Sequence, residues 1–167
     1  KKLYLPQPDE KTGIIPQFDG YFDLKEIDLS VYKNASVVGT IFHDYSGEDV
    51  QKMQAGKQAD IVELLYQMED ITTPDNKAKN YVYYEARTLH DSSLSKAIHS
   101  ITACDLGMEK EAYEMFMSAA LTDLGQEMKS SDAGIHSANM GGVWQDVVMG
   151  FGGIRIRDGH PRIRPNC

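Results

Sequence analysis

Cysteine is scarce in this chain, long apolar runs are missing, and positive charge is in deficit. Its two cysteines are Cys104, inside an apolar helical pattern, and Cys167, at the last position. That excludes a disulfide framework and a thiolate zinc site, and it points to a reducing compartment. No apolar stretch approaches the roughly 18 residues that a membrane-spanning helix needs, so no membrane partner is expected. Seventeen Lys and Arg face 25 Asp and Glu, giving a net charge of −8. Such a balance argues against wrapping a nucleic-acid backbone, even though Arg155, Arg157, Arg162 and Arg164 gather near one end. His43 with Asp44, and His99, lack metal-ligand spacing, so no metal is expected. The opening Lys1-Lys2-Leu3-Tyr4-Leu5-Pro6 lacks the apolar core of a secretory signal, and the expected location is the cytoplasm. There is no internal repeat and no low-complexity segment.

What is present is a chain of one-domain size, 41% hydrophobic and 25% charged, irregular in its first third and helical after it. Ile14–Phe22 mixes aromatics with Pro and Gly and reads as an ordered loop with room for a short strand. Glu48–Met68 has no proline. Ile61, Val62, Leu64, Leu65, Tyr66 and Met68 cover more than one helical face there, which predicts a helix buried nearly all round. Thr73-Pro74 predicts an N-cap and first helical residue for a helix through Tyr83.

Asp91, Ser92 or Ser93 caps the next predicted helix, which carries Leu94, Ala97, Ile98 and Ile101 and stops at Gly107. A second begins near Met108 with Ala112, Tyr113, Phe116, Ala119, Ala120 and Leu124 at helical spacing, so the pair should form an antiparallel hairpin. A further helix is predicted from Met140 to Met149. Beyond it Ile alternates with Arg from Ile154 to Arg164 around Asp158-Gly159, a β-hairpin signal. One apolar hairpin face stays exposed unless something covers it, so the hairpin should pack on helices or join a larger sheet.

The stretch with the clearest chemistry is Gly134-Ile135-His136-Ser137-Ala138-Asn139-Met140-Gly141-Gly142-Val143-Trp144-Gln145. Small residues let backbone amides approach a ligand closely. A helix start adds unpaired N–H groups at a positive dipole end, and His136 and Ser137 supply further donors. The combination reads as an anion cradle.

Three segments in order carry a resemblance: Lys57-Gln58-Ala59-Asp60-Ile61-Val62, then Tyr84-Glu85-Ala86-Arg87-Thr88-Leu89-His90-Asp91-Ser92-Ser93-Leu94-Ser95, then the cradle itself. They resemble the inverting disaccharide phosphorylases of glycoside hydrolase family 65, which include maltose, trehalose, kojibiose and nigerose phosphorylases. Ile15–Phe22 and Gly150-Phe151-Gly152-Gly153-Ile154-Arg155 look like the same family, so the resemblance covers almost the whole chain.

The resemblance implies a mainly α fold, the C-terminal half of an (α/α)6 barrel over residues 1–150. Residues 151–167 would be a terminal β-hairpin that begins a small β domain. It also implies that the general-acid glutamate lies upstream and that this chain holds no catalytic residue of its own. Lys57 and Gln58 look like the pair that binds the transferred glucosyl unit, and Gly134, His136 and Ser137 look like the phosphate site.

An inverting glycosidase needs one carboxylic acid and one carboxylate base. Phosphate is already an anionic nucleophile, so a phosphorolytic site holds it with neutral or cationic donors, and that suits His136 and Ser137. The implied enzyme is a glycosyltransferase-type glycoside phosphorylase. It takes an α-linked glucose disaccharide and inorganic phosphate, uses no cofactor, yields β-glucose 1-phosphate, and is a homo-oligomer when intact. The isolated chain is expected to be inactive.

Two alternatives stand beside this reading. One is a hydrolase of the same family, which would need a carboxylate near His136 where the loop has none. The other is a non-catalytic helical interaction module, which a stop codon near Cys167 would favour.

Structural roles compete for several residues. For His90, Asp91, Ser92 and Ser93 the leading reading is capping and buried hydrogen bonding. Glu85 and Arg87 read as a structural ion pair, Trp144 as core, and the methionines as filler. Ala86 stands where many relatives have proline, and Gly125–Asp132 differs from the Asn- and Thr-containing version expected of the family.

Overall fold

The computed structural model describes residues 5–33, 37–58, 60–125 and 134–166. Ala59, Cys167 and most of the Gly125–Asp132 segment singled out above therefore lie outside the described residues. The helices are α1 (Ser30–Lys33), α2 (Gly47–Val50), α3 (Asp60–Gln67), α4 (Pro74–Ala86), α5 (Ser95–Asp105), α6 (Glu109–Ala120) and α7 (Ser137–Gln145), followed by strands β1 (Ile154–Arg157) and β2 (His160–Ile163). The described residues form two compact units, one over 5–33 and 39–89 and the other over 37–38 and 90–166. No helix among them is long and apolar enough to cross a membrane.

In the first unit α3 packs against α4. The expected continuous helix over Glu48–Met68 is instead broken. Ser46 closes a capping box with Asp49 to start α2, the chain then makes isolated parallel bridges at Met53 and Gly56, and only Asp60–Gln67 is helical again. Nor is α3 buried all round. Ile61, Val62, Leu65 and Tyr66 form one buried stripe, while Gln67 is exposed and Met68 is 51% exposed. Packed against α4, the helix buries one stripe and not its whole circumference.

Helix α4 starts as its sequence predicts, with the Thr73 hydroxyl accepting from the Asn76 amide at 3.2 Å and Pro74 in the first turn. It runs three residues past Tyr83. The aromatic loop contains no strand: it is held by a 3-10 turn at Tyr21–Asp23 and by side chains of α4. Asn80 accepts from the Ile15 amide at 2.8 Å and donates to the Gly13 carbonyl at 2.9 Å, and the Tyr84 hydroxyl donates to the Ile15 carbonyl. Edge-to-face contacts of Tyr21 with Phe18 and Phe22, and a tilted contact with Tyr84, complete this core. A second cluster gathers Leu29, Ile41 and Leu89 with Tyr32, Tyr45 and Val50 around it.

The second unit is built on α5 and α6. The Ser100 hydroxyl donates to the Ala112 carbonyl at 2.7 Å and Lys96 reaches Ser118, so positions ascend on one helix as they descend on the other: an antiparallel hairpin. Gly107 makes the corner with φ +71°, a conformation that strains other residues. No side chain caps α5 itself. Leu94 occupies its N-cap, and the Ser92 hydroxyl accepts from the Leu94 amide one turn earlier.

Helix α7 begins at Ser137, three residues before the expected Met140, and passes into a π-helical turn over Asp146–Phe151. Trp144, expected in the core, is 60% exposed, because the α7 face toward α5 carries small residues instead: a Cβ on Gly142 would lie 3.1 Å from the Ala97 side chain.

The hairpin forms around the expected Asp158-Gly159 turn, with Ile154 opposite Ile163 and Arg157 opposite His160. Positive φ at Asp158 and Gly159 marks a type I′ turn. Its arginine face turns to the helices, with Arg155 donating to the Met149 carbonyl and to Asp105 at 3.1 Å. Its apolar face is left outside, with Ile156 75% and Ile163 64% exposed.

Candidate functional site

Lys57 and Gln58 lie in the first unit, on the short link between a pinned backbone and α3. Just before them Gly56 donates to the Arg87 carbonyl and accepts from the Leu89 amide, both at 2.8 Å, a parallel bridge that ties the link to the end of α4. Beneath it Gln54, only 2% exposed, accepts from Arg87 Nε at 3.0 Å and from the Tyr83 hydroxyl, and donates to the Leu24 carbonyl at 3.1 Å. The Arg87 guanidinium lies 3.8 Å over the Tyr83 ring and pairs with Glu26 at 3.1 Å.

Glu85 pairs with Lys33 at 2.6 Å. The expected Glu85–Arg87 ion pair is thus replaced by two pairs with partners from earlier in the chain. Burial pushes the phenols of Tyr83 and Tyr84 upward in pKa, so both stay neutral and serve as hydrogen-bond donors. Lys57 is exposed and Gln58 half-buried at the edge of this rigid support, where long polar side chains reach outward.

Gly134, His136 and Ser137 lie together in the second unit at the start of α7. His136 occupies the N-cap position and Ser137 is the first helical residue. Gly134 has φ +117° with open space where a Cβ would stand, so the backbone itself demands glycine here.

The structure adds a residue that the sequence reading missed. Asp123, just past α6, accepts the His136 backbone N–H on Oδ2 and pairs with His136 Nδ1 through Oδ1, both at 2.8 Å. The carboxylate side chain is 11% exposed and the imidazole 32%. Asn139 Nδ2 donates to the Ala119 carbonyl at 2.8 Å, so the end of α6 grips the start of α7 at two points. No spacing rule joins Asp123 to His136 across 13 positions. The only available signal was an acidic residue in the last turn of the predicted helix, which the structure ends earlier, at Ala120.

The cradle also has fewer free donors than its sequence suggests. The His136 amide goes to Asp123, and that of Ser137 goes to the Ile135 carbonyl at 3.1 Å. Among the described residues, the donors left to a ligand there are the amides of Ala138 and Asn139 and the Ser137 hydroxyl, with the second ring nitrogen of His136 a donor only when the ring is charged. That set suits an oxyanion, since it offers hydrogen-bond donors at a helix N-terminus while the neighbouring Asp123 carboxylate is engaged with His136.

His90, by contrast, has a structural place. It sits buried in the left-handed region at φ +57°, with Nδ1 2.9 Å from the Ser95 hydroxyl and its ring edge-on to His99.

The model of the glycosyl hydrolase family 65 central catalytic domain matches residues 1–145. The chain is 48% identical over 165 residues to a kojibiose phosphorylase of Halothermothrix orenii, covering 98% of this chain and 21% of that protein. It is 40% identical over 167 residues to the kojibiose phosphorylase of Escherichia coli, covering 99% and 22%. A solved structure of a candidate kojibiose phosphorylase from the human microbiome superposes with a TM-score of 0.85 at 32% identity, covering 96% of this chain and 24% of that one. The chain thus spans about a fifth of the length of the curated relatives it matches. The fold class is the expected one, mainly α with a C-terminal hairpin, as in part of an (α/α)6 barrel.

Proposed function

The chain belongs to glycosyl hydrolase family 65, within its central catalytic domain, and on that premise we propose that it is the C-terminal half of the barrel of an inverting α-glucoside phosphorylase. Residues 1–150 then belong to the barrel and 151–167 open a small β domain. Inorganic phosphate, held at Gly134, His136 and Ser137, attacks the anomeric carbon of a glucosyl unit held in part by Lys57 and Gln58. A glutamate outside this chain protonates the departing sugar, and inversion gives β-glucose 1-phosphate. The substrate is an α-linked glucose disaccharide, with kojibiose the first to try on the strength of the relatives' names. The intact enzyme is a cytoplasmic homo-oligomer that needs no metal or organic cofactor, and the isolated chain is inactive.

The observation that carries this reading is the donor-rich start of α7 beside His136. Isothermal titration of inorganic phosphate into the wild-type chain and His136→Ala tests it. Binding that disappears on substitution supports the assignment. Binding by the variant at wild-type strength removes His136 from the site.

One observation favours hydrolysis as a second reading: the Asp123–His136 pair is an arrangement that activates water. Product analysis with the full-length protein separates the two, since a hydrolase releases free glucose without phosphate and a phosphorylase does not.

A further inference from the structure

We propose that Asp123 is a positioning residue for the phosphate site, fixing His136 with Nδ1 protonated so that Nε2 is the one ring atom left to meet the anion. The inference rests on the reading of the α7 start as the phosphate site and goes beyond it to a residue outside the cradle.

A carboxylate only accepts hydrogen bonds, so the 2.8 Å contact to Nδ1 requires the proton on that nitrogen. The other carboxylate oxygen takes the backbone N–H of the same residue at 2.8 Å. One carboxylate therefore fixes both the main chain and the ring of His136, which sets the side-chain torsions as well as the tautomer. The grip is firm because Asp123 is largely shielded from water, with its side chain 11% exposed, where a charge-assisted hydrogen bond loses little to solvent competition. The second tie, Asn139 to the Ala119 carbonyl, keeps the first turn of α7 in register with the turn that carries Asp123.

The chemistry follows from the two ring states. A neutral ring held this way presents the Nε2 lone pair, which accepts from a protonated phosphate oxygen. A charged ring presents Nε2–H, which donates to an anionic one, and its charge is balanced by the carboxylate behind it. Without Asp123 the neutral ring is free to carry its proton on Nε2 and to rotate, so the anion meets an ensemble instead of one fixed ring face.

Two readouts on the 167-residue chain test this: the ¹⁵N chemical shifts of the His136 ring, and the affinity for inorganic phosphate. In the wild type the neutral ring should show Nδ1–H. Asp123→Asn, close to isosteric, should shift the ring toward the Nε2–H form and weaken phosphate roughly tenfold, by analogy with the loss of partners behind metal-ligating histidines. Asp123→Glu, which keeps the carboxylate, should restore the ring signature in part.

Unchanged ring shifts in Asp123→Asn overturn the proposal, even if phosphate binding falls, because a merely structural role would weaken binding without moving the tautomer. Phosphate binding that survives His136→Ala overturns the phosphate reading instead, and the ring shifts then still decide whether Asp123 sets the tautomer. The two failures are therefore distinguishable.

Discussion

Asn80 Oδ1 accepts the backbone amide of Ile15 at 2.8 Å across 65 positions of sequence. The same side chain donates to the Gly13 and Asn76 carbonyls at 2.9 and 2.8 Å and has no exposed surface. Asn80→Ala leaves the Ile15 N–H and the Gly13 carbonyl without that partner, and the expected loss is about 2–4 kcal/mol of stability. Urea unfolding checks it, and a midpoint equal to that of the wild type would show that the loop is held some other way.

Gly150 and Gly141 give opposite expectations for the same substitution. A Cβ on Gly150 would stand 2.5 Å from Asp146 Oδ1 and 3.4 Å from the Ile101 backbone, whereas one on Gly141 would meet nothing within 4 Å. Gly150→Ala should cost roughly 1–3 kcal/mol through overpacking. Gly141→Ala, inside α7, should gain up to about 1 kcal/mol from reduced unfolded-state entropy and better helix propensity. Thermal unfolding of both variants reads the two signs together, and equal shifts would contradict the packing described around Asp146.

Asp146 has no exposed surface, and burial lifts its carboxyl from 3.8 to about 7, with the Ser100 hydroxyl offsetting a little. The folded state therefore holds a proton that the unfolded state releases. Below about pH 4 both states are protonated and Asp146 imposes no penalty. Between pH 4 and 7 the unfolded state ionises first, so stability falls as pH rises, by an order of a few kcal/mol in total. Asp146→Asn should remove this slope. The exposed Asp9, Asp28 and Asp49 are shifted downward by local hydrogen bonds and act in the opposite sense, so the quantity to measure is the difference between variant and wild type at pH 5 and pH 8. A difference that does not change with pH sinks the idea.

Arg155 fastens the hairpin through Asp105, with Nη2 at 3.1 and 3.3 Å from the two carboxylate oxygens and side chains 11% and 19% exposed. Arg155→Ala should cost roughly 1–3 kcal/mol, because it removes a charge partner of the largely buried Asp105 carboxylate. It should also raise amide exchange in Ile154–Arg157 ahead of the rest of the unit. Exchange that rises uniformly would show that the hairpin is not an independent local element.

Sequence by itself determined the local elements whose signals are short in range. Thr73-Pro74 opened α4, Gly107 broke α5 from α6, and Asp158-Gly159 closed the hairpin, because caps, positive φ and turn chemistry act over four residues or fewer. It also determined the family, since ordered motifs survive without knowledge of their packing, and through the family the mainly α fold.

Only the tertiary structure decided which faces are buried. Periodicity says that Trp144 and the hairpin isoleucines are apolar, not that small residues of α7 and Arg155 would take the inward positions. It likewise decided the partners of charges. Glu85 met Lys33, Arg87 met Glu26 and His136 met Asp123, each across a chain separation on which spacing carries no information, because a salt bridge needs only proximity in space and the fold alone supplies that.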